Sequence, residues 1–182
     1  RGQLDETRLP RLAMITALAY ALGLIMLPLP GGTSGHVLGV AMLALLFGVR
    51  PAFLAYSGVL GLQALLFGAG GLTALPVNAL ALGLCGALSA RAVFRMLRSL
   101  HEDAAVAIAT WVAVMVSATL VALVLGIQPW LAHGPDGKPL FFPFGPAITL
   151  PAVLIPHALI GLGEAALTLA VWRYARMRKW QV

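Results

Sequence analysis

Six apolar runs, separated by basic residues or by Gly/Pro-rich punctuation, occupy most of this chain. They extend from Leu12 to Leu27, about His36 to Val49, Pro51 to Phe67, Leu75 to about Phe94, Ala104 to Leu125, and about Pro151 to Tyr174. Apolar runs approaching 20 residues are the signature of membrane-crossing helices. The composition leaves little else: 60% of the 182 residues are hydrophobic and 10% are charged, against roughly 25% charged in soluble domains. A mean hydropathy of +0.95 excludes an ordinary soluble enzyme and a disordered chain. The fold expected is all-α, a polytopic membrane protein of six transmembrane helices forming one integral-membrane domain over residues 1–182.

The charges give this weave a direction. There are 12 Lys and Arg against 6 Asp and Glu. In a six-span weave, Arg1, Arg8, Arg11, Arg50, Arg91, Arg95, Arg98, Arg173, Arg176, Arg178 and Lys179 fall on one side, and only Lys138 on the other. Basic residues collect in cytoplasmic loops, so both ends of the chain are expected in the cytoplasm of a cell inner (plasma) membrane. The same rule accounts for the net charge of +6 without nucleic acid. Cys85 is the single cysteine, which excludes an internal disulfide and a CxxC metal pair; it reads as a packing residue.

Three segments then face outward: Pro28 to Gly35, Gly68 to Thr73, and Gln128 to about Leu150. The second run has about 14 residues, or ~21 Å of helix, against ~30 Å of hydrocarbon. The Gly-rich segment before it must therefore dip into the membrane. Irregular backbone at that depth is tolerated where it is buried in protein or lines a wet cavity. An outward-facing site is expected there, with Thr33, Ser34, Gly35, Gln63 and Asn78 as pocket-lining residues.

His36 stands at that point, and an imidazole suits borderline transition metals; a loop histidine bonded to backbone is the bland alternative. His157 and Glu164 lie seven residues apart on the last run and share a helix face, with Gly161 between them allowing close helix approach. They are read as helix-packing or coupling residues, although a carboxylate within the membrane is a functional candidate by default. Ala13, Ala17 and Ala21 form a small-residue stripe, readable as a partner interface or as internal packing. In the longest outer loop, His133, Asp136 and Lys138 read as solvated, and Phe141, Phe142 and Phe144 as interfacial or capping the cavity. His101, Glu102 and Asp103 suit the start of a helix. No GxxxxGK[ST] or HExxH motif is present, so the chain has no ATPase phosphate loop of its own.

Gly31-Gly32-Thr33-Ser34-Gly35-His36-Val37-Leu38-Gly39, Gln63 through Gly68-Ala69-Gly70-Gly71 to Leu75, and His157 through Ile160-Gly161-Leu162-Gly163-Glu164-Ala165 together resemble the cobalt/nickel substrate-binding (S) component of energy-coupling-factor (ECF) transporters. The motifs stand in the family's order and span positions 31 to 165. The resemblance implies capture of Co²⁺ or Ni²⁺ from the outer side, as transported substrate with no resident cofactor. It implies a transmembrane coupling subunit, cytoplasmic ATPase subunits and often a small accessory membrane subunit as partners. It makes His36 a metal ligand and the Ala13, Ala17, Ala21 stripe the face that meets the coupling subunit. Two features depart from the family. Its Met-His-Ile-Pro-Asp-Gly start, whose terminal amine, next backbone nitrogen and histidine are the other metal ligands, and the helix that follows it are not in this sequence, and a chain lacking its first ~30 residues is the expectation. Ala69 replaces the usual Asp of the GDGG turn, which puts in doubt the hydrogen bonding that carboxylate supplies.

Two competitors carry different cargo or chemistry. A vitamin-binding S component or secondary transporter would stack an organic ring on Trp111, Trp130 or the Phe141-Phe142 pair. A rhomboid-like intramembrane serine protease would use Ser34 of Gly32-Thr33-Ser34-Gly35 with His157 as base, but GxSG would then open the second run instead of the fourth.

Overall fold

The computed structural model describes residues 7–29 and 33–180. Helix α1, Arg8–Gly23, leads into an antiparallel hairpin of β1, Leu27–Leu29, and β2, Thr33–Gly35, with Leu27 opposite Gly35 and Leu29 opposite Thr33. Then follow α2, Val40–Phe47, and α3, Val49–Phe67. A continuous helical segment combines α4, Leu75–Asn78, a π-helical stretch, Ala79–Cys85, and α5, Gly86–Leu97. Two long helices close the fold: α6, Glu102–Leu131, and α7, Pro146–Met177.

Among the described residues four helices are long and apolar enough to cross a membrane: Val49–Phe67, Leu75–Leu97, Glu102–Leu131 and Pro146–Met177. The first two expected runs differ. Helix α1 stops at Gly23, and the apolar residues up to Leu29 enter the hairpin, because Pro28 cannot continue a helix and a short apolar run does not distinguish helix from strand. Helix α2 begins at Val40, not His36. Its 8 residues make a rod of about 12 Å, too short to cross. All eight are buried, as befits a helix that is apolar all round; it is the axle of the bundle, enclosed by α1, α3, α5, α6 and α7.

A short buried helix needs partners for its last carbonyls. The Ala44 carbonyl accepts from the Gly48 N–H at 3.0 Å. Arg91 Nη1 donates to the Leu45 carbonyl at 3.2 Å and Arg8 Nη2 to the Phe47 carbonyl at 3.0 Å, placing two cations where the helix dipole favours them. More charge gathers at this end. Arg173 pairs with Asp103 at 2.6 Å, Arg176 with Glu102, and the Arg11 guanidinium lies 5.1 Å from the Trp180 ring centre. Arg8, Arg11, Arg91, Arg173 and Arg176, five of the basic residues that the sequence assigns to one side, thus stand at one end of the bundle.

Local signals set the other boundaries. The His101 side chain accepts from the Ala104 N–H at 3.2 Å and caps α6, with Glu102 and Asp103 in its first turn. Gly68 adopts φ 68° to end α3, and Gly68 and Ala69 donate back to the Ala64 and Gln63 carbonyls, the glycine-terminated helix end that a Cβ disfavours. Helices α6 and α7 are in tight contact at Gly126: a Cβ there would lie 2.6 Å from Thr149 Oγ1 and 2.9 Å from Pro146 Cα. Gly126→Ala is expected to cost about 1–3 kcal/mol by overpacking, read as a lower melting temperature in detergent. Gly163→Ala, where nothing lies within 4 Å, serves as the neutral control.

Candidate metal site

The site is built at the end of the bundle opposite the arginines, where β2 runs into α2. Residues 36–39 are irregular, and α7 is their support. Gly35 is buried because α7 leaves no room for a side chain: a Cβ would lie 2.7 Å from Ile160 Cδ1 and 3.4 Å from His157 Cε1. Gly39 turns the chain into α2 with φ 74°, in the left-handed region that favours glycine.

Glu164 fixes this passage from across the fold. Its Oε2 accepts the Leu38 N–H and its Oε1 the Gly39 N–H, both at 2.8 Å. The residue is 1% exposed. These two N–H groups precede the first turn of α2 and have no intrahelical acceptor. Unpaired and buried they would be costly, so one carboxyl group on α7 both satisfies them and sets the path of the backbone next to His36.

The resulting cavity has a volume of about 310 Å³ and is lined by Ser34, His36, Gln63, Asn78 and His157 among other residues. His36 and His157 come from segments more than 100 positions apart and face one space. Each ring places Nδ1 on a backbone carbonyl: His36 on its neighbour Val37 at 3.1 Å and His157 on Val153 at 2.8 Å. A carbonyl can only accept, so in both rings Nδ1 carries the hydrogen, and in the neutral imidazole Nε2 then keeps its lone pair. Among the described residues no carboxylate lines the cavity.

The other candidate residues fall as follows. Gln63 is buried and its Nε2 donates to the Tyr20 carbonyl at 3.4 Å. Asn78 Nδ2 donates to the Gly70 carbonyl at 3.5 Å, fastening the turn that contains Ala69, itself in the cavity wall. Thr33 begins β2, and residues 30–32 of the glycine motif lie outside the described residues. Gly161 receives Trp111 of α6, whose Cδ1 would be 3.0 Å from a Cβ there. Ala13, Ala17 and Ala21 are exposed along α1, while Ile15, Ala19 and Gly23 on its other face are buried. The aromatic residues considered as stacking partners stand elsewhere. Trp111 Nε1 donates to the Ala158 carbonyl at 3.0 Å, Trp130 and Phe141 are exposed, and none of Trp111, Trp130, Phe141 or Phe142 lines the cavity.

Sequence reasoning missed the hold of Glu164 on the Leu38 and Gly39 backbone and the sharing of one cavity by two histidines. The seven-residue spacing of His157 and Glu164 was the available signal. It placed both on one face of α7 without saying what that face meets.

The whole chain, residues 1–182, matches the family model CbiM, described as "Cobalt uptake substrate-specific transmembrane region". The chain belongs to this family. A probable fused nickel transport protein LarMN of Lactiplantibacillus plantarum is 38% identical over 170 residues, covering 92% of this chain and 52% of that protein. A fused nickel transport protein NikMN of Rhodobacter capsulatus is 32% identical over 178 residues, covering 93% of this chain and 51% of that one. The chain thus spans about half the length of these two fused relatives. A putative metal transport protein of Haloquadratum walsbyi is 36% identical, with 96% of this chain and 75% of that protein covered. A solved structure described as a truncated transition metal transporter superposes with a TM-score of 0.91 at 32% identity, covering 97% of this chain and 84% of that one. This CbiM-family chain is a mostly helical membrane protein.

Proposed function

We propose that this chain is the substrate-binding component of an ECF-type ABC importer for Co²⁺ or Ni²⁺, in the inner (plasma) membrane, and that His36 takes the metal from the outer side. The observation that carries this reading is the His36 ring itself: it lines a cavity at the end of the bundle remote from the arginines, with Nδ1 held by a carbonyl and Nε2 left as a donor. An oriented Nδ1–H is the outer contact that metal-binding histidines use. Neutral nitrogen favours Ni²⁺ and Co²⁺ over Mg²⁺ and Ca²⁺, which take oxygen ligands. A volume of about 310 Å³ exceeds what a bare ion needs. At roughly 30 Å³ per water it accommodates a hydrated ion.

Transport then requires partners. The exposed Ala13, Ala17 and Ala21 stripe offers the coupling subunit a smooth helix face, ATP hydrolysis belongs to cytoplasmic ATPase subunits, and a small accessory membrane subunit completes the assembly. The chain contributes recognition and performs no bond chemistry. An organic cargo is disfavoured because the rings that would stack on it lie away from the cavity. A protease is disfavoured by membership in a transport family.

In cells producing the protein with its coupling and ATPase subunits, His36→Ala is expected to reduce accumulation of Ni²⁺ or Co²⁺ to background. Normal accumulation at normal expression rejects the ligand role. Calorimetry with Ni²⁺, Co²⁺ and vitamins on the purified protein separates a metal from an organic cargo.

A further inference from the structure

The arginines at the end of the bundle remote from the hairpin do not all have the same company. On α7, Arg173 pairs with Asp103 at 2.6 Å and Arg176 with Glu102. Arg91, Arg95 and Arg98, on α5 and at its end, have no such partner. The acidic groups among the described residues are Glu102, Asp103, Asp136 and Glu164, and all four are engaged elsewhere. The three arginines stand at i, i+4 and i+7 and share a helix face, and Arg95 and Arg98 each act electrostatically on Arg91. Arg91 Nη1 is anchored on the Leu45 carbonyl at 3.2 Å, but a guanidinium has five N–H donors, so one anchor leaves donors to spare. Arg95 and Arg98 are exposed. Further from this end the same side of α5 is apolar. The helix buries Gly86, Ala87, Ala90 and Phe94 and exposes Leu88, Ala92, Arg95 and Met96, Leu88 at 49% and Met96 at 74%. The eight positions from Leu88 to Met96 are about 12 Å of helix. Along the axis of α5, one exposed strip therefore runs from apolar side chains to guanidinium groups.

We propose that this strip binds an anionic phospholipid, with an acyl chain along Leu88, Ala92 and Met96 and the phosphate held by Arg95 and Arg98, backed by Arg91. The order of chemistry is that of the lipid: hydrocarbon first, then a phosphate at the membrane boundary. Arginine forks match phosphate oxygens in pairs. Three cations without an internal counter-ion repel one another, the more so beside hydrocarbon, and a phosphate among them removes that repulsion. An acidic side chain of another protein would answer the charge, but it would have to bring an apolar helix in register with Leu88 and Met96. An anionic lipid supplies both parts and is already the surrounding solvent. The arginines of α7 are neutralised by the first turn of α6, which places the site on α5 and not wherever basic residues gather. No covalent bond forms; the phosphate exchanges waters for N–H donors. The site is independent of the reading of His36.

Native mass spectrometry of the purified protein tests this, with phosphatidylglycerol or phosphatidylcholine of the same acyl chains added to the detergent. Phosphatidylglycerol is expected to stay bound where phosphatidylcholine is lost, and to raise the melting temperature. Arg95→Gln/Arg98→Gln, which leaves Arg91 on the Leu45 carbonyl, is expected to weaken phosphatidylglycerol binding about 10- to 30-fold, the increment for two surface cations. Arg173→Gln/Arg176→Gln removes the same charge at the same end of the bundle and is expected to keep the lipid. Equal retention of the two lipids, or equal loss of phosphatidylglycerol in the two double variants, overturns the proposal. Equal stabilisation by glycerol 3-phosphate without a lipid also overturns it, in favour of a site for free phosphate. An Arg95→Gln/Arg98→Gln protein that holds phosphatidylglycerol normally but no longer co-purifies with the coupling subunit makes the strip a protein contact, and the proposal fails.

Discussion

Glu164→Gln weakens Ni²⁺ and Co²⁺ binding by about tenfold or more and lowers the melting temperature, although the residue touches neither imidazole ring. The reason lies in the acceptor count. The two carboxyl oxygens each accept one backbone N–H, from Leu38 and from Gly39, at 2.8 Å. Glutamine offers one oxygen, and its NH₂ faces the second N–H donor to donor. A buried amide left without an acceptor costs about 1–3 kcal/mol, and within a bilayer no water reaches it. Glu164→Leu orphans both amides and is expected to cost roughly twice as much. Thermal unfolding in detergent should rank the side chains Glu, then Gln, then Leu. The loss of affinity follows because the segment so released carries His36. A Glu164→Leu protein that melts with the unaltered one and binds Ni²⁺ equally well removes the carboxyl group from this role.

The second large effect is expected at Gly39. Its φ of 74° puts a non-glycine residue in the left-handed region, at about 1–2 kcal/mol. Space is also missing: a Cβ would lie 2.7 Å from Ala19 Cβ and 3.2 Å from Ala19 Cα. The second neighbour is backbone, so α1 itself must move, and overpacking of this kind costs about 1–3 kcal/mol. Gly39→Ala should therefore destabilise by the sum of strain and crowding and displace the amide that Glu164 holds. Adding Ala19→Gly removes the closer atom and should recover part of the crowding while leaving the backbone strain. Chemical unfolding of the four proteins in this cycle measures the coupling. Additive effects would show that α1 is not pressed against Gly39. Gly58→Ala, with nothing within 4 Å, is the control for adding a methyl group to a glycine of this bundle.

These two positions mark where sequence reading reached its limit. Gly39 stood inside a glycine-bearing motif beside His36, and Glu164 was visible as a carboxylate in an apolar run, yet nothing local joins residues 125 positions apart. The third and later apolar runs lie within helices, although α6 continues past Leu125 to Leu131 and α7 begins ahead of Pro151 at Pro146, because a long apolar stretch has few other stable forms in a bilayer. The first two runs were altered by what surrounds them. Pro28 and the hairpin shortened α1, and the burial of α2 on all sides let eight residues serve where a full crossing was expected. Arg8 and Arg91 supply donors to the carbonyls at its end, and their place in the sequence announced only a charged side of the membrane.

Amino-acid order alone determined that this chain enters a membrane, where its long helices lie, and that its available donors are imidazoles. Those properties follow from hydropathy and from side-chain chemistry, which each residue carries wherever it is placed. Tertiary structure decided that His36 and His157 open into one cavity and that Glu164 is committed to the backbone between them and α2. Helical periodicity fixes which residues share a face of α7; only the packing of that face against β2 and the start of α2 fixes what they meet.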